Sequence, residues 1–397
     1  MFLSPEVAIL QHYTSVVQVS GDFFENGAAY FAKMCYTQIR FTASNGECSP
    51  FVGHNAFVRW SALQDVGMDT GDPEDVMYWS EYHISEDFNM GMRLQIAGHV
   101  TRFASYHKEE FKEMVSLTIY DEISRWERYS YGDSEMIFHP IWTWLWRGPF
   151  TKLFRDFLWC DMHLSSKISI ISYMSSCKFA VVQFLNGATQ IHADSWLFCS
   201  IDYAIGSGFF LPIANYVLVG LYQDCLDKFY LQSWNIFLSV VLVFWILGNV
   251  ALAVLRYRTG ERNLLSSLWE NFMWQPMYCF FFCGLSFHVN KALLAHIIGY
   301  EMTWEMTKKE VENSNFFMEI PKIAREFIYM YLVMIPMAGG MIYMAFFAPI
   351  AWRITEAVAV VPLALMIICH CALPFALNPF IITAVDEFKI EDPNQKN

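Results

Sequence analysis

Four runs of about 20 apolar residues, at 201–221, 236–255, 327–350 and 357–380, dominate this sequence. A helix of that length crosses a hydrocarbon core of about 30 Å, so such a chain is expected to divide into an aqueous part and a membrane part. Residues 1–140 have ordinary globular character, and most long apolar runs come after Lys167. Composition agrees: 55% of residues are hydrophobic and 16% charged, against about 45–50% and 25% in a soluble domain. The formal net charge of −13 excludes nucleic acid as an expected partner, because phosphate binding needs basic surface. The ten cysteines contain no Cys-x-x-Cys pair. Cys279, Cys283, Cys369 and Cys371 lie in apolar runs and read as small buried side chains rather than metal ligands.

The first residues, MFLSPEVAILQHY, lack a basic start, and Pro5 and Glu6 interrupt their apolar run. They read as the middle of a domain rather than a signal peptide. Strands are expected at 7–10 and 16–19, without the earlier strands that a parallel sheet needs. Further on, the pattern predicts a helix over 23–36, a buried strand over 51–59, a short helix over 61–66 and a strand over 100–106. The best helix signal covers 85–95: Ser85 as cap, Glu86 and Asp87 in the first turn, Gly98 closing it. This alternation predicts an α/β sandwich.

Two constellations carry chemistry. At Ser85-Glu86-Asp87, a carboxylate at a helix N-terminus is favoured as the anion by the dipole and can take a proton from a hydroxyl as a general base. The bland reading is a capped first turn. At Glu122-Ile123-Ser124-Arg125-Trp126, helical spacing puts Glu122, Arg125 and Trp126 on one face. The fork of Arg125 suits a pyrophosphate, and the indole of Trp126 offers a face to a sugar ring. The bland reading is an ion pair beside a buried indole.

Together with the membrane half, these motifs resemble the processive family-2 glycosyltransferases, the group of cellulose, chitin and hyaluronan synthases. Ser85-Glu86-Asp87 resembles that group's Ser/Thr-Glu-Asp motif. Glu122-x-x-Arg125-Trp126 resembles its QxxRW, with Glu for Gln. The stretch Gly53-His54-Asn55-Ala56-Phe57-Val58-Arg59 looks like the segment before the base. Tyr131-Gly132-Asp133-Ser134-Glu135 through His139-Pro140 resembles fungal members. Trp304-Glu305-Met306-Thr307-Lys308-Lys309 resembles the FxVTxK gating loop.

The resemblance implies the C-terminal part of a GT-A sandwich over 1–140, an interfacial helix over 141–165 and a transmembrane bundle over 166–397. It implies inverting hexosyl transfer from a UDP-sugar to a growing β-linked polysaccharide, as in cell-wall biosynthesis. Asp87, with Glu86 beside it, would be the base, and Glu122, Arg125, Trp126, Trp304, Thr307 and Lys309 would bind donor and acceptor. Mg²⁺ or Mn²⁺ is expected for the family, but the Asp-x-Asp that would hold it is absent from this sequence; Asp69, Asp72 and Asp75 fall after the strand where it belongs. The chain alone is therefore expected to transfer sugar poorly, or to be a non-catalytic membrane protein.

In the membrane half, 141–158 is rich in Trp and Phe with Arg147, Lys152 and Arg155 interspersed, the pattern of a helix lying in the interface. His288, Asn290, Lys291 and His296 punctuate 272–298, which reads as interfacial or re-entrant. Arg256, Arg258 and Arg262 put the end of the second span on the cytosolic side. Four spans then leave the catalytic part, the loop expected over 300–326 and the C-terminus in the cytosol, at the plasma membrane. Residues 174–201 read as an insertion, either from a mis-spliced gene or as a lineage-specific loop.

Overall fold

In a computed structural model the chain divides into two compact units: residues 1–117, 121–204 and 289–310 form one, and 118–120, 205–288 and 311–397 the other. The structure describes residues 4–45, 48–69, 76–175, 201–222, 246–304, 314 and 316–381. The first unit opens with β1 (Val7–His12), β2 (Ser15–Val16), α1 (Phe23–Asn45), β3 (Ala56–Val58) and α2 (Trp60–Asp65). There follow β4 (Met68–Asp69), β5 (Val76–Met77), α3 (Glu86–Ile96), β6 (Val100–Ala104), β7 (Lys112–Glu113) and α4 (Ile119–Ile137).

Strand β1 is buried at every position, as its apolar run requires. It lies at the centre of a mixed sheet of order β3-β1-β6, antiparallel to β3 and parallel to β6. Ala8 and Ile9 pack with Phe51, Leu63, Met90 and Leu94 to form the core beneath α2 and α3. Helix α1 starts in a capping box: the Glu25 N–H donates to Asp22 Oδ1 at 2.8 Å. The Glu25 carboxylate in turn accepts from the N–H groups of Val19, Ser20 and Gly21 at 2.6, 2.9 and 2.5 Å. The Asp22 bond satisfies a first-turn N–H that the helix start would otherwise leave orphaned, and the Glu25 carboxylate ties the chain before α1 to the helix.

Three expectations change here. The strand over 51–59 shrinks to β3, because Gly53 (φ +91°) and Asn55 (φ +52°) break the extended backbone before it. Ser85 caps nothing with its side chain, although α3 ends as expected at Gly98 (φ +88°). There the Gly98 and His99 N–H groups return to the Gln95 and Leu94 carbonyls at 3.1 and 2.9 Å, a Schellman closure. The single helix expected over 141–158 is two, α5 (Trp144–Arg147) and α6 (Lys152–Trp159). Gly148, at φ +77°, breaks them apart. Helix α7 (Leu164–Ser175) follows, and residues 176–200 of the expected insertion lie outside the described residues.

Further along, the described residues form α8 (Ile201–Tyr222), α9 (Gly248–Arg258), α10 (Leu264–Ile297), α11 (Phe316–Glu326), α12 (Ile328–Ile342) and α13 (Ala357–Ala376). Among the described residues, three stretches are long and apolar enough to cross a membrane: α10, residues 328–347 and α13. Of the run at 236–255, only 246–255 is described. The stretch 272–298, expected to be an interfacial or re-entrant helix, lies within α10, one continuous helix of 34 residues. At about 1.5 Å per residue it spans about 51 Å, more than a hydrocarbon core. Its polar tail has its own partners. Val289–Ile297 belongs to the first unit, where Lys291 pairs with Glu127 at 2.7 Å and Ser134 bonds His296 at 2.8 Å.

The loop expected over 300–326 is also revised, because its second half is α11. Glu319, Ile323 and Phe327 recur at four-residue spacing and are 1–2% exposed, while Phe317 and Met318 face outward. Glu319 is buried but fully bonded. Tyr120 Oη donates to it at 2.7 Å, Asn378 Nδ2 at 2.8 Å and Ser314 Oγ at 2.6 Å. Burial alone would raise its pKa, but the bonds from Ser314, Tyr120 and Asn378 and the charge of Lys322 outweigh it and hold the carboxyl below the usual value. A depressed carboxyl stabilises the fold above its unfolded pKa and loses that contribution as pH falls through the folded value. Glu319→Gln is therefore expected to cost about 2–3 kcal/mol at pH 7. The gap to wild type should close as pH drops below about 4. Thermal melts in detergent across pH check this; a constant gap would contradict it.

Candidate active site

The loop Pro50–Asn55 and the start of α3 meet closely. A Cβ built on Gly53 would stand 1.8 Å from Asp87 Oδ2 and 2.3 Å from its Cγ. Only glycine lets that carboxylate rest on the loop backbone, and φ +91° at Gly53 is a region that glycine enters without strain. On its other side Trp79 Nε1 donates to Asp87 Oδ1 at 3.2 Å. Asp87 is thus clamped between a backbone and an indole while remaining half-buried, and Glu86 beside it opens α3. Trp79 escaped the sequence reading. Its signal was proximity, since Trp79-Ser80-Glu81-Tyr82 stands just before the Ser85 motif.

The second constellation forms as its spacing predicts. Arg125 Nη1 lies 3.6 Å from Glu122 Oε2, and Trp126 Nε1 donates to Glu122 Oε1 at 2.9 Å. Glu122 therefore holds both partners in place. Burial opposes the charge of Arg125, but Glu122, Tyr129 and Glu113 more than offset this and raise its pKa. Trp126 is only 9% exposed, beside the ring of Phe31. The open ring here is Tyr129, 41% exposed, whose hydroxyl accepts from Arg125 Nε at 2.9 Å. It lies four residues after Arg125, the spacing that could have exposed it in the sequence.

Helix α4 also holds the base motif. At Gly132 a Cβ would stand 2.1 Å from Ser85 Oγ, so the missing side chain admits Ser85 against the helix. Glu135 accepts from the Ile84 N–H at 3.1 Å and pairs with His83 at 3.5 Å. The third motif arrives at the same place. Trp304 packs edge-on to Tyr131, centroids 5.7 Å apart, in a cluster with Ile84, Ala292, Ala295 and Met302. Its buried Nε1 has no hydrogen-bond partner among the described residues. Thr307 and Lys309 lie outside the described residues. Of the sequence-predicted set, Asp87, Glu86, Glu122, Arg125, Trp126 and Trp304 thus share one framework built on α3, α4 and the loop at 53–55.

A family profile described as glycosyl transferase family group 2 matches residues 1–378. The chain belongs to this family, and so is a glycosyltransferase by resemblance, acting on a nucleotide-sugar donor and an acceptor. The family implies a GT-A fold and generally uses a divalent metal. No curated protein sequence matches the chain. Among the described residues no group of three His, Cys, Asp or Glu side chains could hold a metal ion.

Proposed function

We propose that this chain is a membrane-embedded transferase that extends a β-linked polysaccharide from a UDP-hexose with inversion. The observation that carries this reading is the clamp of Gly53 and Trp79 on Asp87, anchored through Ser85 and Glu135 to the helix of Arg125 and Trp126. Asp87 takes the proton of the acceptor hydroxyl, and that oxygen forms a bond to the anomeric carbon from one face. The bond from that carbon to the diphosphate oxygen breaks on the opposite face, and its electron pair leaves with the nucleoside diphosphate. Arg125, kept in register by Glu122, is the cation at hand for the departing charge. The exposed rings of Tyr129 and Trp79 offer the acceptor stacking surfaces.

The apolar stretches 328–347 and α13 cross the bilayer in this reading, with Leu332, Ile335 and Ile342 of α12 turned outward to lipid. The aqueous unit faces the cytosol. A second reading, a non-catalytic membrane protein that only binds saccharide, is favoured by the lack of any Asp-x-Asp in the sequence. One assay separates them. Purified chain in proteoliposomes is given Mg²⁺ or Mn²⁺ and radiolabelled UDP-hexoses. Slow incorporation into product that a β-glycosidase digests is expected. Labelled product that only α-glycosidases digest would overturn the inverting reading, and saccharide binding without incorporation would establish the second.

A further inference from the structure

Beside Asp87 the loop presents a second polar group, the imidazole of His54. Two left-handed residues, Gly53 (φ +91°) and Asn55 (φ +52°), flank it. For Asn55 such a backbone is uncommon outside turns, and it persists here because the loop is bonded on every side. Gln11 Nε2 donates to the His54 carbonyl at 2.8 Å, the His12 N–H to the Asn55 carbonyl at 3.1 Å, and Asn55 Nδ2 to Thr14 Oγ1 at 3.2 Å. Left-handed backbone fixed by bonds on both sides holds the His54 side chain in one place.

The side chain is held as firmly as the backbone. His54 Nε2 pairs with the Glu113 carboxylate and lies 3.0 Å from the Tyr36 hydroxyl, which itself bonds Glu113. A carboxylate only accepts, so Nε2 carries the proton in the neutral ring and Nδ1 keeps a free lone pair. The His54 side chain is 43% exposed, so a ligand can reach it. Asp87 and Glu113 stand on either side of this loop and disfavour an anion. A neutral hydroxyl donor fits, and a phosphate does not.

We propose that His54, positioned by Glu113 and Tyr36, accepts a hydrogen bond from a hydroxyl of the acceptor sugar and so sets which neighbouring hydroxyl meets Asp87. This rests on the transferase reading above. A Cβ at Gly53 would fall on the Asp87 carboxylate, and His54 is the next residue of the same loop, so both groups belong to one short segment of the site.

The test titrates the full chain in nanodiscs with cello- and chito-oligosaccharides, followed by calorimetry. His54→Ala and Glu113→Ala are each expected to weaken binding about 5–10-fold, the worth of one neutral hydrogen bond. Glu113→Gln, which still accepts from Nε2, should recover most of that loss. Monodeoxy oligosaccharides complete the cycle: the sugar lacking the contacted hydroxyl binds wild type as weakly as His54→Ala binds the parent, and the two losses do not add. A merely structural role would give additive losses for every deoxy sugar and overturns the proposal. If wild type binds no oligosaccharide, the acceptor reading falls and takes His54 with it. If wild type binds and neither alanine variant changes affinity, only the assignment of His54 falls.

Discussion

Asp87→Asn is expected to lower single-turnover sugar transfer about 10²–10⁴-fold while the melting temperature stays that of wild type. Asparagine has the size of aspartate, so it fits under the Gly53 backbone where no larger group would. Its amide oxygen can still accept the Trp79 Nε1–H bond, 3.2 Å long in the native site. What it cannot do is take a proton from the attacking hydroxyl. Loss of rate without loss of stability therefore isolates the base function from the packing function. Glu86 provides the internal comparison. It starts the same helix, but neither the Gly53 backbone nor the Trp79 indole bears on it in the way they bear on Asp87. Glu86→Gln is expected to act more weakly. Transfer by Asp87→Asn above a tenth of wild type, or a larger loss in Glu86→Gln, would move the base to Glu86.

The parts of this site that rest on local periodicity were legible in the sequence. Helical spacing alone brings Glu122, Arg125 and Trp126 together, and the 3.6 Å and 2.9 Å contacts among them need no tertiary information. The end of α3 at Gly98 was legible for the same reason. What escaped depends on contacts between distant segments. The tight approach of Gly53 to Asp87 joins residues 34 positions apart, and no pattern in either stretch announces it. The Gly132 seat for Ser85 and the Tyr120–Glu319–Asn378 network are hidden in the same way. The polar residues at 288–296 show how partners stay hidden in a sequence. Read alone they interrupt an apolar run, but Lys291 and His296 pair with Glu127 and Ser134, so the helix continues unbroken into the first unit. Gly148 and the pair Gly53 and Asn55 show the limit on the backbone side, since a positive φ ends an element that side-chain pattern alone would carry on.

Gly53→Ala is expected to remove most transfer activity and to lower the melting temperature as well. Two separate effects act at this position. The first is conformational: φ +91° costs an L-residue about 1–3 kcal/mol. The second is steric: the new methyl would lie 1.8 Å from Oδ2, 2.3 Å from Cγ and 2.9 Å from Oδ1 of Asp87, so the carboxylate must shift by an ångström or more. A misplacement of about 1 Å at a reacting group can cost about 100-fold in rate. Gly98→Ala separates the two effects. It has nearly the same backbone, φ +88°, and open space where its Cβ would go. It should lose stability through strain alone and keep its rate per folded molecule. Gly132→Ala adds the third comparison, because its clash is 2.1 Å from Ser85 Oγ, a hydroxyl that can rotate away, and Ser85 is not a reacting group. The expected order of rate loss is Gly53→Ala above Gly132→Ala above Gly98→Ala, measured as single-turnover rates normalised to folded protein. Equal loss in all three would mean that strain, not the seat of the carboxylate, limits the reaction.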